Sequence, residues 1–292
     1  MWSQQNASSE SKGFFPSWLR GTLGPLLLIC CTVPFASLLL LASNLYRGDL
    51  TSLLSAFFSN PWEVFKSGLH QPTPTTLLVL GVFVAWQLAL MRLVPGAAYE
   101  GPPTAEGHIP LYKDNGLLSF GLTLAAYFGL STWGVGESLP PSLQFPPTIL
   151  YEEYVRLVSF LSFAALVLCL ALMVKGRTCP SGRDSGSSGN IVQDLYWGTE
   201  LYPRVLGWDV KQFTNCRFGM MFWGLLPVVF MCKGMEEDGK PVRLPSNAAL
   251  VNTALQLVYV TKFFLWESGY MRSLDIMHDR AGYMICWGCM VW

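Results

Sequence analysis

Charge is what this sequence has least of. Of its 292 residues, 19 are Lys or Arg and 19 are Asp or Glu, so 13% are charged and the signs cancel; soluble domains carry about twice that share. An ordinary water-filled setting is therefore a poor match. A neutral chain with no long basic run also lacks the electrostatic footprint of a nucleic-acid binder. Histidine is scarcer still. His70, His108 and His278 fall in three separate stretches, which leaves no metal-ligand set and no histidine-box oxygenase. The eight cysteines, at 30, 31, 169, 179, 216, 232, 286 and 289, lack the spacing of a secreted disulfide scaffold and read as reduced, mostly buried thiols. Cys286-Trp-Gly-Cys289 has the spacing of a redox pair but opens an apolar stretch with no βαβ pattern around it, so it reads as packing. No GxGxxG, GxSxG or HExxH occurs, which excludes soluble dinucleotide, serine-hydrolase and zincin sites of the familiar kinds.

What the chain does contain is apolar length. Hydrophobic residues make up 51% and aromatics 14%. Uncharged runs extend over 21–46, 71–91, 115–136 and 157–174, or 26, 21, 22 and 18 residues. A bilayer core about 30 Å thick needs roughly 20 helical residues, so each run predicts a transmembrane helix. Runs at 218–232 and 244–261, extended from Thr214 and to Trp266, predict a fifth and a sixth. The last, 281–292, has 12 residues and reads as half of a seventh span, because a helix stopping at mid-bilayer leaves carbonyls unpaired. That ending is expected of a fragment. The predicted fold is an all-α polytopic transmembrane bundle of six full spans plus a partial seventh. Its divisions are a polar tail over 1–20 and a membrane domain over 21–292, with a long loop at 175–217. The first run follows a polar tail and is too long for a signal peptide core, so it is predicted to stay as an anchor.

Basic residues orient the bundle. The tail and the alternate loops around 92–114, 175–217 and 267–280 hold 12 Lys and Arg, while the other loops hold 6. The positive-inside rule places the N-terminus and the richer loops in the cytosol. The Asn6-Ala7-Ser8 sequon then lies on the side where glycosylation does not occur.

Polar groups inside the runs mark candidate chemistry. Asn252, Gln256, Tyr259, Lys262 and Glu267 fall on one side of a continuous helix at about 100° per residue, and such a stripe is expected to face the bundle interior or a wet cavity. Interhelical hydrogen bonding and interfacial snorkelling are the structural alternatives. Asp275, His278, Asp279 and Tyr283 follow as the densest ionisable cluster. They suit a proton donor tuned by burial and a neighbouring like charge, or a juxtamembrane charge network. In the long loop, a turn-rich stretch, Arg177 to Gly189, gives way to Asn190-Ile-Val-Gln-Asp194-Leu-Tyr196-Trp-Gly198-Thr-Glu200-Leu-Tyr202-Pro203-Arg204. Here Asp194, Glu200 and Arg204 are candidates to pair with one another.

That stretch resembles the first signature of the sterol reductase family: Gly189, Asp194, Tyr196, Gly198, then Leu201-Tyr202-Pro203-Arg204, with Gln193 departing from the usual aromatic or His. The resemblance continues through Asp209-Val-Lys-Gln-Phe-Thr-Asn215-Cys-Arg217-Phe-Gly219, Tyr259-Val-Thr-Lys-Phe-Phe-Leu-Trp-Glu267 and Asp275-Ile-Met-His278-Asp279-Arg280, and covers about residues 75–292. Within the family it is most similar to plant members that reduce 7-dehydrocholesterol-type sterols; C14 and C24 reductases of the family are alternatives. The resemblance implies a multi-pass protein of the endoplasmic reticulum. It also implies a proton and an NADPH hydride added across the C7=C8 bond of a sterol 5,7-diene. An isolated alkene accepts hydride poorly, so an acid must protonate it first. The catalytic candidates are Tyr259, Glu267, Asp275, His278 and Asp279, with Phe263, Phe264, Trp266 and Trp287 as walls for the sterol rings. The family's cofactor residues lie mainly in a last third with no counterpart here, so no NADPH-binding residue is assigned. A non-catalytic, sterol-binding membrane protein of the same architecture is the rival expectation; the partners implied are the sterol and the lipid bilayer, and the sequence identifies no particular protein partner.

Overall fold

The computed structural model describes residue 16, residues 18–237 and residues 240–291. Most of the predicted tail, with its sequon, lies outside the described residues. Helix α1 runs from Leu19 to Asn44, opening with a π-helical turn, Leu19–Leu23. Two short helices return the chain, α2 (Leu50–Ser59) and α3 (Pro61–Gly68). Each starts on a side-chain cap, Asp49 accepting from the backbone of Thr51 and Ser52, and Asn60 from that of Glu63, which satisfies orphan N–H groups. The Ser52 and Thr51 hydroxyls and N–H groups hold the Asp49 carboxyl down at about 2. Helix α4 (Pro74–Leu93) begins with a capping box between Thr73 and Thr76, and with proline in its first turn.

An antiparallel hairpin, β1 (Ala97–Glu100) with β2 (Leu111–Asp114), links α4 to α5 (Gly116–Leu130), with Tyr99 directly opposite Tyr112. Then follow α6 (Tyr154–Thr178), α7 (Ile191–Trp197), α8 (Gln212–Met235) and α9 (Asn247–Leu265). A final helix, α10, joins a π turn, Tyr283–Trp287, to Gly288–Val291.

Among the described residues five helices, α1, α4, α6, α8 and α9, are long and apolar enough to cross a bilayer. The protein is thus a largely helical, multi-pass membrane protein, and five of the six predicted full spans have such a helix among the described residues. The predicted third span, 115–136, is realised as the 15-residue α5, which is about 22 Å long at 1.5 Å per residue and short of a 30 Å core. It stops at Ser131, where the chain turns through Gly134 and Gly136. The uncharged run overstated the helix because glycine and serine carry no charge yet end helices. The predicted half-span over 281–292 corresponds to the short α10.

Helix α8 is the hub of the core. Its Phe218, Met221, Phe222, Leu225 and Val229 pack with Leu80 and Phe83 of α4, Phe120 of α5, Leu157 and Leu161 of α6, and Val260 and Phe264 of α9. A second cluster joins α6 to α10 through Ala165, Cys169, Leu172, Tyr283, Cys286 and Trp287. The cysteines among the described residues are free thiols; Cys169, Cys216, Cys232 and Cys286 are buried.

Candidate active site at the head of helix α8

Helix α8 starts as a π-helix, Gln212–Gly219. Its wider i→i+5 turn brings side chains five apart nearer to one side than an α-helix would, which lets Gln212 and Arg217 converge on one partner. Both meet Glu267. The Arg217 guanidinium donates from Nη1 to Oε1 at 2.7 Å and from Nη2 to Oε2 at 3.0 Å, and Gln212 Nε2 donates to Oε1 at 3.1 Å. Arg217 and Glu267 are both fully buried. Arg217 Nη2 also donates to Asn115 Oδ1 at 2.7 Å, while the Asn115 amide caps the carbonyls of Leu90, Met91 and Val94 at the end of α4. One ion pair thereby ties α4, α5, α8 and the segment after α9. Gly116 makes room for it: a Cβ there would collide with Glu267 Oε2 and Phe264.

The same α8 head holds the ionisable loop. Lys211, fully buried, donates from Nζ to the carbonyls of Ile276 (2.6 Å) and Asp279 (2.5 Å), and lies 5.2 Å from the Tyr202 ring centroid. Burial lowers the Lys211 ammonium to about 8, against opposing pulls from Asp209 and other acidic groups. Of the loop's ionisable side chains, Asp275 and His278 are exposed, Asp279 is partly buried, and His278 Nδ1 lies 2.9 Å from Asp279 Oδ1. Tyr283 leaves this cluster for α1, where its hydroxyl pairs with Thr32 at 2.5 Å.

The predicted stripe does not stay together. Helix α9 ends at Leu265, and Trp266, at φ −130° and ψ 39°, breaks the helical path before the turn Glu267–Tyr270. Glu267 therefore swings into the core, while Asn252, Tyr259 and Lys262 are exposed; the inward face is Thr253, Val260 and Phe264. The expectation that the stripe lines the interior of the described bundle is corrected accordingly. Tyr259 packs on Trp223 of α8, centroids 5.1 Å apart, and Trp223 Nε1 donates to Gln256 Oε1 at 2.8 Å.

The four aromatic candidates are dispersed too. Phe264 stacks on Phe120 (5.3 Å) inside the core, Phe263 lies between Phe264 and Tyr270, and Trp266 is exposed. Trp287 belongs to the α6–α10 cluster, where its Nε1 donates to the Ser162 carbonyl at 2.8 Å. It shares no wall with the other three, because α10 docks on α6.

The signature loop also pairs differently from expectation. Asp194 accepts from Arg177, Ser187 and Ser188, Glu200 from Lys175 and the Ser181 backbone, and Arg204 donates to the Leu111 carbonyl. Burial acts to raise the Asp194 carboxyl, but the Ser187 hydroxyl, the Arg177 guanidinium and Ser188 outweigh it and hold it low. Residues the sequence reading did not single out complete the picture. Tyr270 donates to Asn215 Oδ1 at 2.9 Å, and burial pushes its phenol well up. Lys211, Gln212 and Arg217 could have been found as charged and polar groups opening an otherwise apolar run.

A profile of the Ergosterol biosynthesis ERG4/ERG24 family matches residues 26–292. The chain belongs to this family of sterol reductases. It is 42% identical over 266 residues to 7-dehydrocholesterol reductase of Arabidopsis thaliana, covering 91% of this chain and 59% of the relative. It is 30% identical over 295 residues to Delta(14)-sterol reductase of Methylotuvimicrobium alcaliphilum, covering 98% and 61%. The chicken Delta(14)-sterol reductase LBR is 29% identical over 73% of the chain. The chain thus spans about three fifths of the length of the first two sterol reductases it matches.

Members of this family are generally NADPH-dependent. The buried cations described here do not fit such a cofactor: Arg217 is committed to Glu267 and Asn115, and Lys211 to two backbone carbonyls. Both side chains are fully buried and out of reach of a pyrophosphate, so no step is assigned to NADPH within these residues.

Proposed function

We propose that this chain forms the sterol-protonating part of an NADPH-dependent reductase of the C7=C8 bond in sterol 5,7-dienes, in the endoplasmic reticulum membrane with its N-terminus cytosolic. The observation that carries the reading is the 42% identity to the Arabidopsis 7-dehydrocholesterol reductase, against 30% to the bacterial Delta(14)-sterol reductase. The basic-residue asymmetry supports the orientation.

Protonation comes first, because the C7=C8 carbons offer no carbonyl to polarise. Tyr259 is the proposed acid: its phenol is half-exposed on α9, steadied by Trp223, and reachable by a sterol entering from the bilayer. Phe263 and Trp266 are proposed to flank the rings, with Phe264 as support from the core. Trp287 is proposed to hold α10 in place. Glu267 is proposed as a positioning residue, since both its oxygens already accept from Arg217 and Gln212. Asp275, His278 and Asp279 are proposed to pass protons between water and the site, from a loop fixed by Lys211.

NADPH-dependent loss of 5,7-diene absorbance tests the reading. The purified chain alone should show none, and co-expression with the unmatched portion of the Arabidopsis relative should restore it. Under those conditions Tyr259→Phe should lower kcat by about 10²-fold or more, the usual worth of a positioned acid. Consumption of a C14 alkene instead would move the chain to the other branch of its relatives. Diene loss by the chain alone would overturn the division of labour.

A further inference from the structure

Of the five long apolar helices, α9 is the least covered. In its most apolar stretch 17% of residues are buried, against 22–44% in the other four. Its bare side is also its polar side. Asn252, Leu255, Tyr259, Lys262 and Trp266 are all exposed, and the four that lie within α9 fall on about 80° of its circumference at about 100° per residue. Asn252 and Tyr259 sit five and twelve residues into a 19-residue helix, at about 8 and 18 Å depth at 1.5 Å per residue, so neither is at the entry end. Among the described residues neither side chain makes a hydrogen bond, and Gln256 has only Trp223. Amide and phenol groups are costly against hydrocarbon and in spans usually face another helix.

We propose that this face of α9, continued by Trp223 of α8, is a helix-packing face whose occupant is a membrane-embedded helical segment carrying hydrogen-bonding side chains. That segment belongs to the two fifths of the Arabidopsis relative's length that this chain does not match. Two observations meet here: polar groups without partners at membrane depth, and a comparable unmatched length in the bacterial relative, of which the chain covers 61%. The proposal is independent of which double bond is reduced. Packing on this face encloses Tyr259, and a phenol open to lipid becomes one in a closed cleft.

A photo-cross-linking amino acid at Leu255 tests the proposal in the full chain, co-expressed with the unmatched portion of the Arabidopsis relative as a separate, tagged polypeptide. Irradiation should give an adduct at the sum of the two masses from Leu255, at least tenfold above that from Val167 on the exposed side of α6. Replacing Asn252→Leu together with Gln256→Leu should lower that adduct at least fivefold while the chain still accumulates. Lipid adducts alone at Leu255, or an adduct at twice the mass of the chain, would overturn the assignment; so would a yield indifferent to the double substitution. Because cross-linking reads packing and not turnover, this test can succeed where the diene assay fails.

Discussion

Helices α8 and α9 lie side by side, are of similar length and each bring polar groups to an apolar run, yet they treat them in opposite ways. At the head of α8, Arg217, Gln212 and Lys211 are sunk in the core with named partners. Along α9, Asn252, Tyr259 and Lys262 stand outside it. A buried charge must be matched by the same fold that buries it, so the α8 groups report what this chain completes by itself. The α9 groups report what the described bundle leaves open. The same contrast separates stability from chemistry: the completed hub holds the bundle, and the open face carries the proposed acid.

The largest break in that contrast should come from Glu267→Ala. It strands Arg217 in the core and is expected to cost about 3–5 kcal/mol, the usual penalty for an orphaned buried charge. Thermal unfolding in detergent would show it, and the Arg217→Met/Glu267→Leu double variant should lose less than Glu267→Ala alone.

The pH profile offers a second test. Lys211 is held at about 8 in the fold against 10.5 for the ordinary side chain, so between these values the unfolded chain binds one proton more. The Lys211 contribution to stability should rise with pH across that window, by up to about 3 kcal/mol, and be flat below it. The difference in stability between the wild type and Lys211→Met should carry that pH dependence. A third, smaller effect is expected at Gly116→Ala, whose methyl would press on Glu267 and Phe264; overpacking of this kind costs about 1–3 kcal/mol. The smallest effect should lie on the open face. Asn252→Leu in the chain alone is expected to change the unfolding temperature little or to raise it, by no more than about 1 kcal/mol in stability. A loss as large as that of Glu267→Ala would show that Asn252 is already partnered, and the two regions would no longer differ in kind.

Much of the fold was legible from runs without charge. The helices α1, α4, α6, α8 and α9 all coincide with predicted spans, because hydropathy and helical rise are local properties. The run at 115–136 misled because lack of charge is not helicity; Gly134 and Gly136 bend the chain where the count kept going. The candidate site was half legible. Tyr259 and Glu267 were both picked out, but the wheel that joined them assumed a helix running through Trp266, where the backbone breaks.

By itself, the sequence determined which stretches seek lipid, which side chains are anomalous there, and the family to which the chain belongs. Those follow from composition, a fixed periodicity and matching residues, none of which depends on distant neighbours. Only the tertiary structure decided which anomaly is satisfied and which is left open. Arg217 and Glu267 are 50 residues apart, and they meet because a π turn rotates one and a helix break turns the other. Such a meeting depends on the packing of four segments at once, which no window along the chain contains.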